Sequence, residues 1–326
     1  MVGRAALMSG CAGLLATMAL ANAAQAAPDQ TPGPSQASPA SSQTAATNVG
    51  SVTVAAREKP EVVRRKVNTF VKDITRQSQF EENVPRWRTP ICPLVVGFTA
   101  PQSQYLFTRL QQVATAAGAP MAPAKCDTNL MIVATDHPDE LLAGLVKSAS
   151  GVFGGEGPTA INTFVRTRRP VRVWYDATLV GPDNDAVSST MPPVAGPSAG
   201  AIPQGGPVIK TYGGSSRLRS VASHGLVFTY VIVDGNHLKD VSIGAVSDYV
   251  SMVSLAQVDL DANYSGASTI LRLYSAPAAD APTGLTDWDQ AFLHALYHSD
   301  PYSKLQRAEV SADASEDVTT ARKPGQ

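Results

Sequence analysis

Between residues 53 and 307 the apolar and polar positions alternate between helical and extended periods. Pro60 suits a first helical position, and Val63, Val67, Phe70, Val71 and Ile74 follow at helical spacing. Residues 93–98 read as a short buried strand. A second helix starts near Gln102, carries Tyr105, Leu106, Leu110, Val113 and Ala117 on one face, and stops at Gly118. Residues 129–134 form another apolar strand, and Pro138 opens the next helix. Alternation over residues 171–179 predicts a strand, and residues 226–233 a stronger one, closed by the turn signal Asp234-Gly235. A helix over 242–257 and a short apolar segment over 269–274 follow. The last helix begins at Thr286, with Asp289 completing a capping box and Trp288, Phe292, Ala295 and Leu296 as its buried face. The fold class this implies is α+β: a mixed, partly parallel sheet with packed helices.

The flanks are different. Residues 27–52 are rich in Pro, Ser, Gln, Thr and Ala, which offer too little apolar surface to offset the entropy of ordering, so a disordered linker is expected. Residues 308–326 read as a similar tail, and 181–215, dense in Pro, Gly, Ser and Ala, as a long flexible insertion. Residues 1–26 have the form of a signal peptide: Arg4, an apolar run over 12–21, then Ala24-Gln25-Ala26 as the cleavage pattern. The run is too short for a good membrane span, and no later segment is long and apolar enough for one. Met8-Ser9-Gly10-Cys11 loosely resembles a lipobox, but the apolar run continues past Cys11. The expectation is a single domain over 53–307, periplasmic or secreted after cleavage near Ala26.

Cleavage leaves Cys92 and Cys126, an even pair expected to form one disulfide in an oxidising compartment. The alternative is a pair of buried free thiols. A net charge of −1 carries no broad nucleic-acid footprint. The densest basic cluster, Arg166, Arg168, Arg169 and Arg172, reads as a solvated strand edge.

No complete catalytic motif is present, and no catalytic residue or cofactor is assigned. Gly196-Pro197-Ser198-Ala199-Gly200 matches G-x-S-x-G in letters only, since a nucleophile elbow needs a strand before it and a helix after it. His294 and His298 stand four apart on the last helix, the spacing at which two imidazoles can share a metal. Asp287 lies on the same stripe and Asp300 follows, which leaves a metal-dependent hydrolase as the alternative reading. Yet Ala295-Leu296-Tyr297 lacks the glutamate of H-E-x-x-H. His137, His224 and His237 all lie near turns.

The segments Gly284-Leu285-Thr286-Asp287-Trp288-Asp289 and Ala295-Leu296-Tyr297 are similar to the closing helix of matrix-type metzincin proteases. Residues 268–274 resemble the metzincin Met-turn, with Leu271 at the methionine position. The element order also resembles that family. On this likeness the zinc-binding helix falls on Ser247, Asp248 and Ser251, where the family has His, Glu and His, which implies a zincin-like scaffold without its metal. Segments such as 231–234, 247–253 and 286–293 also look like uncharacterised exported proteins of proteobacteria. The resulting expectation is a non-catalytic binding or envelope-associated protein. It would take an extended peptide or a cell-envelope partner by strand addition beside an edge strand at 226–233.

Overall fold

The computed structural model describes residues 58–76, 83–148, 153, 157–181, 217–239 and 241–321. The segments expected to be signal peptide and linker lie outside these residues, as does the 181–215 segment apart from Gly181. In chain order the elements are α1 (Pro60–Ile74), β1 (Arg86–Trp87), β2 (Pro93–Val96), α2 (Ala100–Ala117), β3 (Leu130–Thr135), α3 (Pro138–Ser148) and α4 (Pro158–Arg166). Then come β4 (Val171–Val180), β5 (Ser223–Asp234), α5 (Ile243–Leu255), a 3-10 turn at Ile270–Arg272, α6 (Asp287–His298) and α7 (Gln306–Ala321).

Local chemistry explains most boundaries. Pro60 opens α1, and α2 has a Thr99/Gln102 capping box and ends at Gly118, whose φ of 81° is left-handed. At α6 the expected Thr286/Asp289 box is present. No described helix is long and apolar enough to cross a membrane.

The sheet is mixed. β2 pairs parallel with β3, β3 parallel with β5, and β4 antiparallel with β5. Because β4 runs along one edge of β5, β1 and β3 share the other, pairing with Gly225–Leu226 and Thr229–Asp234 respectively. β5 is therefore central, not the edge strand expected at 226–233; the edges are β2 and β4. Alternation within a single strand carries no record of what lies beside it. β2 is correspondingly half-exposed rather than buried, with Leu94 and Val96 at 40% and 39% exposure.

Period-2 alternation sends Leu130, Ile132, Val231 and Val233 into one core, covered by α1, α2, α5, α6 and α7. Tyr230, Ile232 and Trp174 face the other way, into a smaller core with Leu142, Phe153 and Phe164. The ladder slips between Asp176 and Ala177, where Phe228 and Leu226 are their successive partners. The extra residue, Val227, is a bulge that returns Leu226 to the larger core.

The tail expected to be disordered over 308–326 is, through Ala321, the helix α7, packed on α1 and α6. Its buried stripe, Gln306, Val310, Ala314 and Val318, recurs every fourth residue but contains only two large apolar side chains. Polar contacts complete it. Gln306 accepts from the Val84 N–H at 2.8 Å and donates to Ser299 Oγ at 3.1 Å. Such contacts are invisible to a hydropathy pattern.

Cys92 and Cys126 form a disulfide. It ties the starts of β2 and β3, where the Asn129 side chain also accepts from the Cys92 N–H (2.7 Å) and donates to the Pro90 carbonyl (3.0 Å). Replacing both cysteines with alanine is expected to lower stability by about 3–4 kcal/mol, since the bridge closes a 34-residue loop. Urea unfolding of oxidised wild type against the double variant measures this.

Asp289 fastens the 270–272 turn to α6. Its carboxylate accepts from the Ile270 N–H at 2.8 Å, the Thr286 N–H at 2.9 Å and the Thr269 hydroxyl. Burial pushes its pKa up to about 6, against the opposing pull of those hydrogen bonds. A carboxyl whose folded pKa is raised binds its proton more tightly when folded. Its favourable contribution is thus complete below about pH 4 and lost as pH rises through about 6. Wild-type stability relative to Asp289→Asn is expected to fall by up to about 3 kcal/mol between pH 4 and 7. Paired urea titrations across that range test it; a pH-independent difference would contradict the assignment.

Candidate functional site

The three positions that the metzincin likeness places at a zinc site lie on α5, where every residue from Ala245 to Leu255 is buried. Ser247 donates to the Ile243 carbonyl and Ser251 to the Ser247 carbonyl, both at 2.7 Å, so both hydroxyls are spent on their own helix. Asp248 forms a two-pronged ion pair with Arg109 of α2, its second contact at 3.2 Å, and accepts the Leu285 N–H at 2.8 Å. The hydrogen bond to Asp248 raises the Arg109 pKa, ahead of an opposing desolvation. A Cβ at Gly284 would lie 2.7 Å from Asp248 Oδ2, so a glycine admits the carboxylate there. Asp248 thus joins α5 to α2 and to the start of α6, while the two serines bond within α5.

The other end of α5 is held from three directions. Helices leave their last carbonyls without partners, and one ending inside a protein needs donors from elsewhere. Tyr175 of β4 donates to the Val253 carbonyl at 2.9 Å, Trp87 of β1 to Ser254 at 2.7 Å, and Tyr297 of α6 to Leu255 at 2.6 Å. Burial raises the pKa of both tyrosines, so they remain donors.

His294 and His298 are exposed on α6 with ring centroids 4.0 Å apart. Asp300, considered above as a further ligand, pairs with Arg219 at 3.1 Å. Among the described residues no group of three or more His, Cys, Asp or Glu side chains is placed to hold a metal. The G-x-S-x-G segment lies outside the described residues. His224 sits on β5, where burial lowers its pKa to about 4. Asp234 accepts from the Asn236 N–H at 3.0 Å and lies 3.3 Å from His237, capping a short 3-10 turn.

A different feature has the shape of a binding site. No strand among the described residues pairs with the outer edge of β4. A groove of about 380 Å³ lies there, lined by Thr163 and Phe164 of α4, by Val173, Trp174 and Tyr175 of β4, and by Gln257, Val258 and Leu260 beyond α5. Trp174 and Tyr175 belong to opposite faces of the sheet, so the groove wraps the strand edge instead of lying on one face. The Asp234 N–H donates to the Pro170 carbonyl at 2.9 Å. Alternation of an antiparallel ladder from that bond turns the N–H and C=O of Val173 and Tyr175 outward, toward the groove.

Polar groups around the groove are incompletely used. Arg172 Nε, Trp174 Nε1 and Gln257 Oε1 are buried without a hydrogen-bond partner among the described residues. An unpartnered buried polar atom costs about 1–3 kcal/mol, and these three belong to residues that line the groove. Arg169 and Asp261 pair across the N-terminal end of β4 at 2.6 Å. Arg172 is only 4% exposed and reaches Asp139 of α3 at 2.5 Å, and its hydrogen bond lowers the Asp139 pKa. The basic cluster is therefore partly buried and paired, not a wholly solvated edge.

Sequence reasoning missed this groove because its walls come from three separated segments, one of them α4, a helix not expected at all. The available signal was Ile161, Phe164 and Val165 at helical spacing behind Pro158, in front of the arginines. Comparison with known proteins finds no matching family, no matching curated protein and no matching solved structure.

Proposed function

We propose that this chain is an exported, non-catalytic binding protein that takes an extended peptide, from a partner in the cell envelope, along the outer edge of β4. The observation that carries this reading is the groove around an unpaired strand edge, with outward backbone groups at Val173 and Tyr175 and unpartnered polar atoms beside them. An added strand supplies the backbone carbonyls and N–H groups that such an edge lacks, and its alternate side chains would meet Phe164 on one side and Val258 on the other.

Export is supported by the signal-peptide pattern of residues 1–26 together with the Cys92–Cys126 disulfide. A scaffold derived from a zincin-like protease is supported by the order β2, α2, β3, edge strand β4, β5, α5, 3-10 turn and α6, with α3 and α4 inserted between β3 and β4. The use of Ser247, Asp248 and Ser251 for internal packing fits a scaffold that has no zinc chemistry.

Val173→Pro is the most selective test, because it removes an outward N–H and leaves the β5 ladder bonds in place. Tyr230→Pro would instead cut the central strand, where Tyr230 opposes both Met131 and Trp174. Screening the folded chain against a library of extended peptides is expected to yield binders whose affinity falls by about ten-fold or more in Val173→Pro, a loss of about 1.4 kcal/mol. Thr163→Arg, which adds bulk from α4, is expected to weaken the same peptides. Binding unchanged in both variants, with unfolding midpoints near wild type, would refute the site.

A further inference from the structure

We infer that His294 and His298 form an exchangeable transition-metal site on α6, independent of the peptide groove. Both rings are engaged through Nδ1. His298 Nδ1 lies 2.9 Å from the His294 carbonyl oxygen, a pure acceptor, so this nitrogen carries the proton. His294 Nδ1 lies 3.1 Å from Asp317 Oδ2 of α7, again an acceptor when ionised. Each imidazole in its neutral form is thereby held as the tautomer whose Nε2 lone pair is unused.

The rings lie 4.0 Å apart and are tilted by 31°, on successive turns of one helix. Gly118 at the end of α2 provides the space for this arrangement, since a Cβ there would lie 3.1 Å from His298 Cε1. A hydrogen bond from Nδ1 to a carbonyl or carboxylate is what orients metal-binding histidines and raises their basicity. Here one histidine has each kind. Asp317 is thus an orienting group for His294, not a ligand.

Two neutral imidazoles suit a borderline divalent cation, with Cu²⁺ bound more tightly than Ni²⁺ or Zn²⁺. Structural zinc sites have four protein ligands, and no third His, Cys, Asp or Glu joins this pair among the described residues. Water would complete the coordination, so the metal would exchange readily and hold no fold together. This accounts for the spacing of the histidines without a hydrolase.

The test is equilibrium dialysis of the chain, prepared without a histidine tag, against Cu²⁺, Ni²⁺ and Zn²⁺, with bound metal measured by elemental analysis. Paramagnetic resonance of the Cu²⁺ form reports nitrogen coordination. The expected result is a single equivalent of Cu²⁺ with imidazole nitrogen couplings. Its affinity should fall by about ten-fold or more in His294→Ala and in His298→Ala, and by about 10–100-fold in Asp317→Asn. The side chains are exposed, so circular dichroism should show all three variants folded. No uptake by wild type, or uptake equal to wild type in both histidine variants, would overturn the site. Unchanged affinity in Asp317→Asn would overturn the orienting role of that residue.

Discussion

A helix that ends inside a protein must find donors for its last carbonyls, and the arrangement of this molecule follows from how α5 does so. Tyr175, Trp87 and Tyr297 reach its C-terminal end from an edge strand, a two-residue strand and the penultimate helix. Those three bonds fix the positions of β4, β1 and α6 around α5, which is buried along eleven consecutive residues. The N-terminal half is held by the Asp248–Arg109 pair and by the Leu285 N–H. Only the Asp248 side of this pair is buried, so removing Arg109 would leave a buried carboxylate short of its cation, which gives Asp248 a structural role.

The positions that resemble a protease centre are occupied in packing. A catalytic carboxylate needs open space and an unspent lone pair near a reacting atom. Asp248 is 6% exposed and already accepts from a guanidinium and a backbone amide. Small serines at 247 and 251 allow α5 to be buried because each hydroxyl bonds one turn back along the helix.

The same packing leaves the outer edge of β4 accessible. Tyr175 turns one face of the strand toward α5, Trp174 turns the other toward α4, and the groove lies between. Unpaired strand edges invite association, and proteins commonly cover or charge them. At this edge the Arg169–Asp261 pair guards one end, while Gln257 and Trp174 have polar atoms without a partner among the described residues. The exposed histidines of α6 lie apart from that groove and belong to a surface formed with α7.

Several features were determined by the sequence alone. Pro60, Gly118 and the Thr286/Asp289 box set helix boundaries through local dihedral preferences and short-range hydrogen bonds, which neighbouring residues suffice to define. The cysteine pair was legible for a related reason: with Cys11 assigned to the expected signal peptide, Cys92 and Cys126 leave only one pairing. Strand identity was legible from period-2 alternation, but strand order was not, because whether β5 is central or peripheral depends on β4 and β3 arriving from distant parts of the chain. Helix α7 escaped notice because its seam is completed by Gln306 and by Ser315, which lies 2.6 Å from Asn68 of α1. The groove, the use of Asp248 as an anchor and the close approach of the His294 and His298 rings were decided only by the tertiary structure. Each depends on distances between residues far apart in sequence or on rotamers set by neighbours, and a linear pattern contains neither.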